Sequence, residues 1–288
     1  MSEYAVPILD PLLAPTSESG ALGLFRTLFG SSADLPCEAL LEWVARSFAQ
    51  IPYENLTKIM KQDHEGAPER ARRAPLEVLQ DYSESGAGGT CFSLTATMLH
   101  ILRALGFTAE PLLADRPYGQ NTHCALAVCL RGVPHLLDPG YLIVKPIPIS
   151  LTEEVRVLTP FNEVVLKPKK DRAKLELSTL QEGRRTPRII FKTEPVDASE
   201  LLSAWDASFD WEMMRYPLLT RVLGGQQRYL QGNRFQVRTR MSVETRRVDA
   251  AELPTLVQEQ FGIRRALTAR ALETLERKGE IHAGAFIR

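Results

Sequence analysis

Apolar residues recur at helical spacing through most of the first hundred positions. The runs ALGLFRTLFG from Ala21 and PCEALLEWVARSFAQIPYENLTKIM to Met60 read as helices, broken near Ile51-Pro52 because a proline pushes the preceding residue out of the α region. Asp63 to Arg73 is polar and charged, which predicts an exposed loop, and Leu76 to Tyr82 predicts a short helix. Leu94, Met98, Ile101, Leu102 and Leu105 form one amphipathic stripe from Phe92 to Leu105, and Gly106 stops it. Beyond Gly106 short apolar stretches separated by Gly and Pro predict strands to about Lys192. Among them IVKPIPIS, with two prolines, reads as an extended edge, and Gln181-Glu182-Gly183 marks a turn. From Ser199 the pattern mixes: SELLSAWDASFDWEMM reads as helix and RYLQGNRFQVRTRMSVETRRV as two or three antiparallel strands. Leu253 to Phe261 and Ala266 to Arg277 then read as helices, the last ending at Gly279. Helices first, strands next and a mixture last make this an α+β chain.

Composition removes several classes of function. At 288 residues, 44% hydrophobic and 24% charged, the chain has the content of an ordinary globular protein and the length for more than one domain. Lys plus Arg equals Asp plus Glu at 35 each, so no global field favours nucleic acid or an anionic membrane. The basic stretch VVLKPKKDRAKLELSTLQEGRRTPRIIFK is interleaved with acids and lacks aromatic stacking residues, as in a solvated hairpin. MSEYAVPILDPLLAP lacks the basic and apolar regions of a signal peptide, and no apolar run approaches the ~18 residues of a membrane span, so the expected location is the cytoplasm. Cysteines at 37, 91, 124 and 129 are too scattered for a disulfide scaffold.

Candidate chemistry centres on Gly88-Gly89-Thr90-Cys91, where a glycine turn runs into the helix from Phe92. Thr90 at the N-cap puts Cys91 in the first turn, where free N–H groups and the helix dipole lower a thiol pKa and can hold an oxyanion. HCALAVCL from His123 and VPHLLD to Asp138 flank Arg131-Gly132, a hairpin signal. A two-residue turn places Leu130 opposite Val133, Ala125 opposite Asp138 and His123 opposite Gly140. His123 and Asp138 are then diagonal neighbours on one face, roughly 7 Å apart between backbones. Nucleophile, base and orienting acid appear in a workable order: Cys91, His123, Asp138. Three other motifs fail. The glycines at 86 to 89 lack the third glycine and buried first strand of a dinucleotide site, and neither a P-loop nor a G-x-S-x-G elbow is present. Cys124 and Cys129 point to opposite strand faces, which argues against a metal site with His123 and His135.

These residues resemble the arylamine N-acetyltransferase family, part of a wider set of cysteine-protease-like and transglutaminase-like folds. Ile51-Pro52-Tyr53-Glu54-Asn55-Leu56 is similar to its I-P-F-E-N-L signature, and Gly88-Gly89-Thr90-Cys91-Phe92 to its R-G-G-x-C-[FE] turn. Leu105-Gly106-Phe107, His123 and Asp138-Pro139-Gly140-Tyr141 follow at the family's spacing, and the resemblance extends loosely over about residues 20 to 265. It implies a helical domain carrying the nucleophile (1–105), a β-barrel-like domain carrying His and Asp (106–195) and an α/β lid with a C-terminal helix (196–288). It also implies ping-pong transfer of an acyl group from acyl-coenzyme A, with no resident cofactor, through a Cys91 thioester to a small amine. Tyr53, Phe92 and Tyr141 would line the substrate pocket. Departures lie beside the nucleophile: Ala87, Ser93 and Thr95 replace the family's arginine, acid and asparagine. They leave open an amide synthase fed by an acyl carrier protein, an amidase, or a non-catalytic binding member.

Overall fold

The computed structural model describes residues 12, 15, 19–30, 35–141, 143, 145–159, 161–170, 172–181, 183–282 and 285–286. The segment read as lacking a signal peptide falls almost wholly outside them, as does Glu182 of the expected turn. The first third is helical: α1 (Gly20–Phe29), α2 (Cys37–Phe48), a two-residue strand β1 (Tyr53–Glu54), α3 (Leu56–Glu65), α4 (Pro68–Ala71), α5 (Pro75–Ser85) and α6 (Cys91–Ala104). The loop expected over 63–73 is therefore the end of α3 and all of α4. Gly66, in the left-handed region at φ 72, ends α3, and Pro68 starts α4 at a position where its missing N–H is not needed. Polar composition hid this turn because its outer side faces solvent while Ala71 and Arg73 are buried.

Helix α6 is not amphipathic in its surroundings. Every residue from Cys91 to Leu99 is buried, because helices cover one side and the following sheet covers the other. Its hydroxyls are satisfied locally, Thr97 Oγ1 donating to Ser93 O at 2.7 Å and Ser93 Oγ to Thr90 O at 3.2 Å. Phe25, Leu41 and Phe48 pack on Leu94, Met98 and Leu102, and Leu126 and Val128 close the cluster from the sheet. Deleting a side chain such as Leu94 would cost about 2–5 kcal/mol.

Eight antiparallel strands follow: β2 (Ala109–Arg116), β3 (Gly119–Leu130), β4 (Val133–Leu137), β5 (Ile147–Pro148), β6 (Val155–Leu158), β7 (Glu163–Pro168), β8 (Lys174–Gln181) and β9 (Arg184–Lys192). Their order is β5-β4-β3-β2-β9-β8-β7-β6, and the edge strands β5 and β6 approach one another, so the sheet is a nearly closed barrel. Leu112, Ala125, Leu136, Leu177 and Phe191 fill its interior. The β3–β4 turn is the two-residue one, with φ 50 at Arg131 and φ 80 at Gly132, and Leu130 pairs with Val133.

The last third begins with α7 (Ala198–Ala207), which ends earlier than its apolar pattern predicts. Lys58 Nζ donates to Ser208 O at 2.8 Å, claiming the carbonyl that a longer helix would use, and short 3₁₀ turns carry the chain to Arg215. Strands β10 (Leu218–Leu223), β11 (Gln226–Gln231), β12 (Arg234–Arg238) and β13 (Val243–Arg247) form a second antiparallel sheet. Its first member is β1, paired through Tyr53 opposite Thr220. Helices α8 (Leu253–Phe261) and α9 (Arg265–Arg277) cover this sheet's apolar face at Leu219, Leu230 and Phe235. Among the described residues no helix is long and apolar enough to cross a membrane.

Candidate active site

Two glycines let the nucleophile turn lie against β1. A Cβ on Gly88 would sit 1.8 Å from Pro52 O, and one on Gly89 would sit 2.2 Å from Ser93 Oγ. Glu54 N donates to Gly89 O at 3.0 Å across this contact. Thr90 occupies the N-cap with extended backbone, yet its side chain accepts no capping bond, so the first turn keeps its N–H groups free. Cys91 is the first residue of α6.

The family arginine is absent at Ala87, which is fully buried among apolar residues. A guanidinium reaches the turn from elsewhere: Arg73 Nη1 donates to Gly88 O and, at 2.8 Å, to Thr57 Oγ1. Arg73 lies within ion-pair distance of Glu54 and Glu77, each at 3.8 Å, and of Asp81. Burial raises the Glu54 carboxyl above the usual range, opposed by the Arg73 charge and the Thr57 hydrogen bonds. Ser93 is the side chain that packs over Gly89, and Thr95 Oγ1 donates to Cys124 O at 3.4 Å.

The hairpin brings base and acid together. His123 Nε2 and Asp138 Oδ2 are 2.6 Å apart, both residues being buried, and Asp138 Oδ1 accepts the Tyr141 backbone N–H at 2.8 Å. A carboxylate only accepts, so Nε2 carries the hydrogen and Nδ1 presents a lone pair. Cys91 and His123 lie side by side on the wall of one cavity. Gly140 is packed against both, since a Cβ there would lie 2.7 Å from Cys91 Cβ and 3.2 Å from His123 Cε1.

Electrostatics favour a thiolate at Cys91. A hydrogen bond from Cys124 holds its thiol well below the ordinary value; burial opposes this, and the His123 hydrogen bond and the His123 and Arg116 charges add to the lowering. Cys124, buried beside the thiolate, is pushed up and stays protonated as donor. Burial is the largest influence on the His123 imidazole and lowers it, but the charge and hydrogen bond of Asp138, with the interaction with Cys91, together leave the net shift upward. Lys58, buried against the Phe209 ring at 4.2 Å, is lowered to about 7 by burial, against the pull of the Cys91 and Asp210 charges.

Cys91 and His123 open into a pocket of about 730 Å³. Its walls are aromatic, with Tyr53, Tyr118, Tyr141, Trp211, Tyr216 and Tyr229, and Arg116 supplies a positive charge. Tyr53 and Tyr141 thus stand on the pocket, whereas Phe92 does not. Phe92 points into the core, stacked on Trp205 with centroids 6.0 Å apart, because the helix turns the residue after Cys91 away from the opening. Sequence reasoning missed Arg116, Arg73, Cys124 and Lys58. For Cys124 a signal existed in its place beside His123, and Lys58 lies two positions past the Ile51–Leu56 motif; Arg73 and Arg116 belong to no motif. Among the described residues no group of three His, Cys, Asp or Glu side chains is placed to hold a metal.

A thiolate, a base with its orienting carboxylate and an aromatic pocket suit nucleophilic attack on an acyl carbon. Known structures share the architecture. An arylamine N-acetyltransferase from Mycobacterium abscessus superposes with TM-score 0.73 at 20% identity, covering 88% of this chain and 94% of that one. The Mycobacterium marinum enzyme, solved in complex with CoA, does so with TM-score 0.73 at 18% identity over 89% and 98%. A Bacillus cereus arylamine N-acetyltransferase described as having a Cys-His-Glu triad gives TM-score 0.69 at 17% identity over 85% and 99%. No curated protein sequence matches the chain. An N-acetyltransferase family model, however, matches residues 37–269, most of the length, and with this fold the chain belongs to the arylamine N-acetyltransferase family.

Proposed function

We propose that this chain transfers an acyl group from a coenzyme A thioester to a small amine through a thioester on Cys91. One arrangement carries the reading: a thiol at a helix N-terminus, packed with Gly140 and an imidazole whose Nε2 is held by a buried carboxylate at 2.6 Å. In the first half-reaction the Cys91 thiolate adds to the thioester carbonyl, and N–H groups of the first turn of α6 hold the oxyanion. Collapse breaks the bond to the coenzyme A sulfur, which takes its proton from the His123 imidazolium. In the second half an amine adds to the acyl carbon, His123 takes the amine proton, and Cys91 leaves as thiolate. Asp138 keeps Nδ1 turned to sulfur and stabilises the imidazolium. Tyr53 and Tyr141 form walls for the substrate.

The CoA complex of the M. marinum relative supports the choice of donor. We place the reaction in the cytoplasm, and the chemistry calls for no resident cofactor. On this reading the division at residues 105 and 195 puts nucleophile, base and pocket wall on three successive domains. The test is intact-mass spectrometry after incubation with acetyl-coenzyme A. An acetyl adduct is expected on the native chain and none on Cys91→Ala, with both melting alike. No adduct on the native chain, or one that persists in Cys91→Ala, overturns the reading.

A further inference from the structure

Arg116 is a charged pocket residue whose charge helps to lower the Cys91 thiol but to which the proposed reaction gives no substrate group to hold. It ends β2, and Thr122 Oγ1 accepts its backbone N–H at 3.1 Å. The guanidinium reaches into the pocket: Nη2 lies 3.3 Å from His123 Nδ1, and its carbon lies 5.7 Å from the Tyr141 ring centroid. Its Nε is buried without a hydrogen-bond partner, and among the described residues no carboxylate pairs with it. Glu212 also lines the pocket, but it is exposed and forms no ion pair with Arg116.

A buried N–H left unsatisfied is costly, and a guanidinium presents a fork that fits a carboxylate. Place narrows the ligand further. Nδ1 is the nitrogen that takes the thiol proton, so an anion bridging to Arg116 must sit close to the atom being attacked or attacking. We propose that Arg116 binds a substrate carboxylate carried within a few bonds of the reacting carbon or nitrogen, so that the site takes a carboxyacyl thioester or the amine of an α-amino acid. The substrate class rests on the acyl-transfer reading; the carboxylate site itself is testable without it.

That independent test is alkylation of Cys91, comparing iodoacetate with its neutral counterpart iodoacetamide. The iodoacetate-to-iodoacetamide rate ratio, divided by the same ratio for a small free thiol, should be about 10- to 100-fold above one. In Arg116→Gln it should fall to near one, and Arg116→Lys, which keeps the charge but loses the fork, should fall between. Equal ratios in the native chain and Arg116→Gln overturn the proposal, even with acyl transfer intact. A high ratio that Arg116→Gln removes, in a chain that no thioester acylates, keeps the site and overturns the transfer reading instead. The source of the carboxylate is then read from two arms, succinyl- against butyryl-coenzyme A as donor and an α-amino acid against its amide as acceptor. The arm whose preference collapses in Arg116→Gln carries it. Collapse in neither arm of an active chain overturns the assignment. A merely structural role for Arg116 would slow both members of each pair alike.

Discussion

Two arginines flank the same cysteine, and they are kept in opposite ways. Arg73, on the core side, has three carboxylates within ion-pair distance and donates to the backbone of the nucleophile turn. Arg116, on the pocket side, has none among the described residues, although both side chains leave Nε without a hydrogen-bond partner. A charge surrounded by its own counter-ions is committed to holding structure. One left without a counter-ion beside a cavity is available to whatever enters. The count of charged partners separates these roles.

The comparison can be broken at several points. The largest effect should come from removing the charge that orients the base: Asp138→Asn is expected to slow acetyl-adduct formation on Cys91 by on the order of 10²- to 10⁴-fold. A loss below tenfold would mean His123 does not need its partner. Next, Arg73→Met leaves Glu54 buried without its main counter-charge and should destabilise the fold by about 3–5 kcal/mol in denaturant unfolding. Arg116→Gln should stay within about 0.5 kcal/mol in the same measurement. Similar values for the two would erase the distinction drawn between them. The smallest effect concerns the thiolate. Cys124→Ala removes the hydrogen bond that lowers Cys91 most, so the midpoint of iodoacetamide alkylation against pH should move upward towards the ~8.5 of a free thiol. The sign follows because the thiolate, present above the Cys91 pKa, would need a higher pH to form. A midpoint that stays put would assign the lowering to His123 and Arg116 alone.

Much of the frame was legible. Helix α8 runs from Leu253 to Phe261 as its pattern predicts, and the Arg131-Gly132 turn has the two-residue register that carries His123 to Asp138. Those features depend on neighbours in sequence, where periodicity and turn residues speak directly. Failures share one cause. Arg73 looked like part of a polar loop because its partners Glu54 and Asp81 meet it only once β1 and α5 have packed. Phe92 looked like a pocket wall from adjacency to Cys91, but adjacent helix residues point about 100° apart. Strand β1 escaped because it is two residues long, too short to show a period.

That short strand bears on how the protein is made. Tyr53 lies opposite Thr220, and the Asn55 side chain bonds Met213, Tyr216 and Leu218 across 158 to 163 positions of sequence. Contacts so distant in sequence form late, since the loop they close must first exist. During synthesis the segment holding Cys91, His123 and Asp138 leaves the ribosome before β10 is translated. A nascent chain therefore owns its reactive groups before it owns the wall that admits a substrate. On the proposed reading, competence arrives only once β10 and its neighbours have been made, which ties the first turnover to the last wall of the pocket.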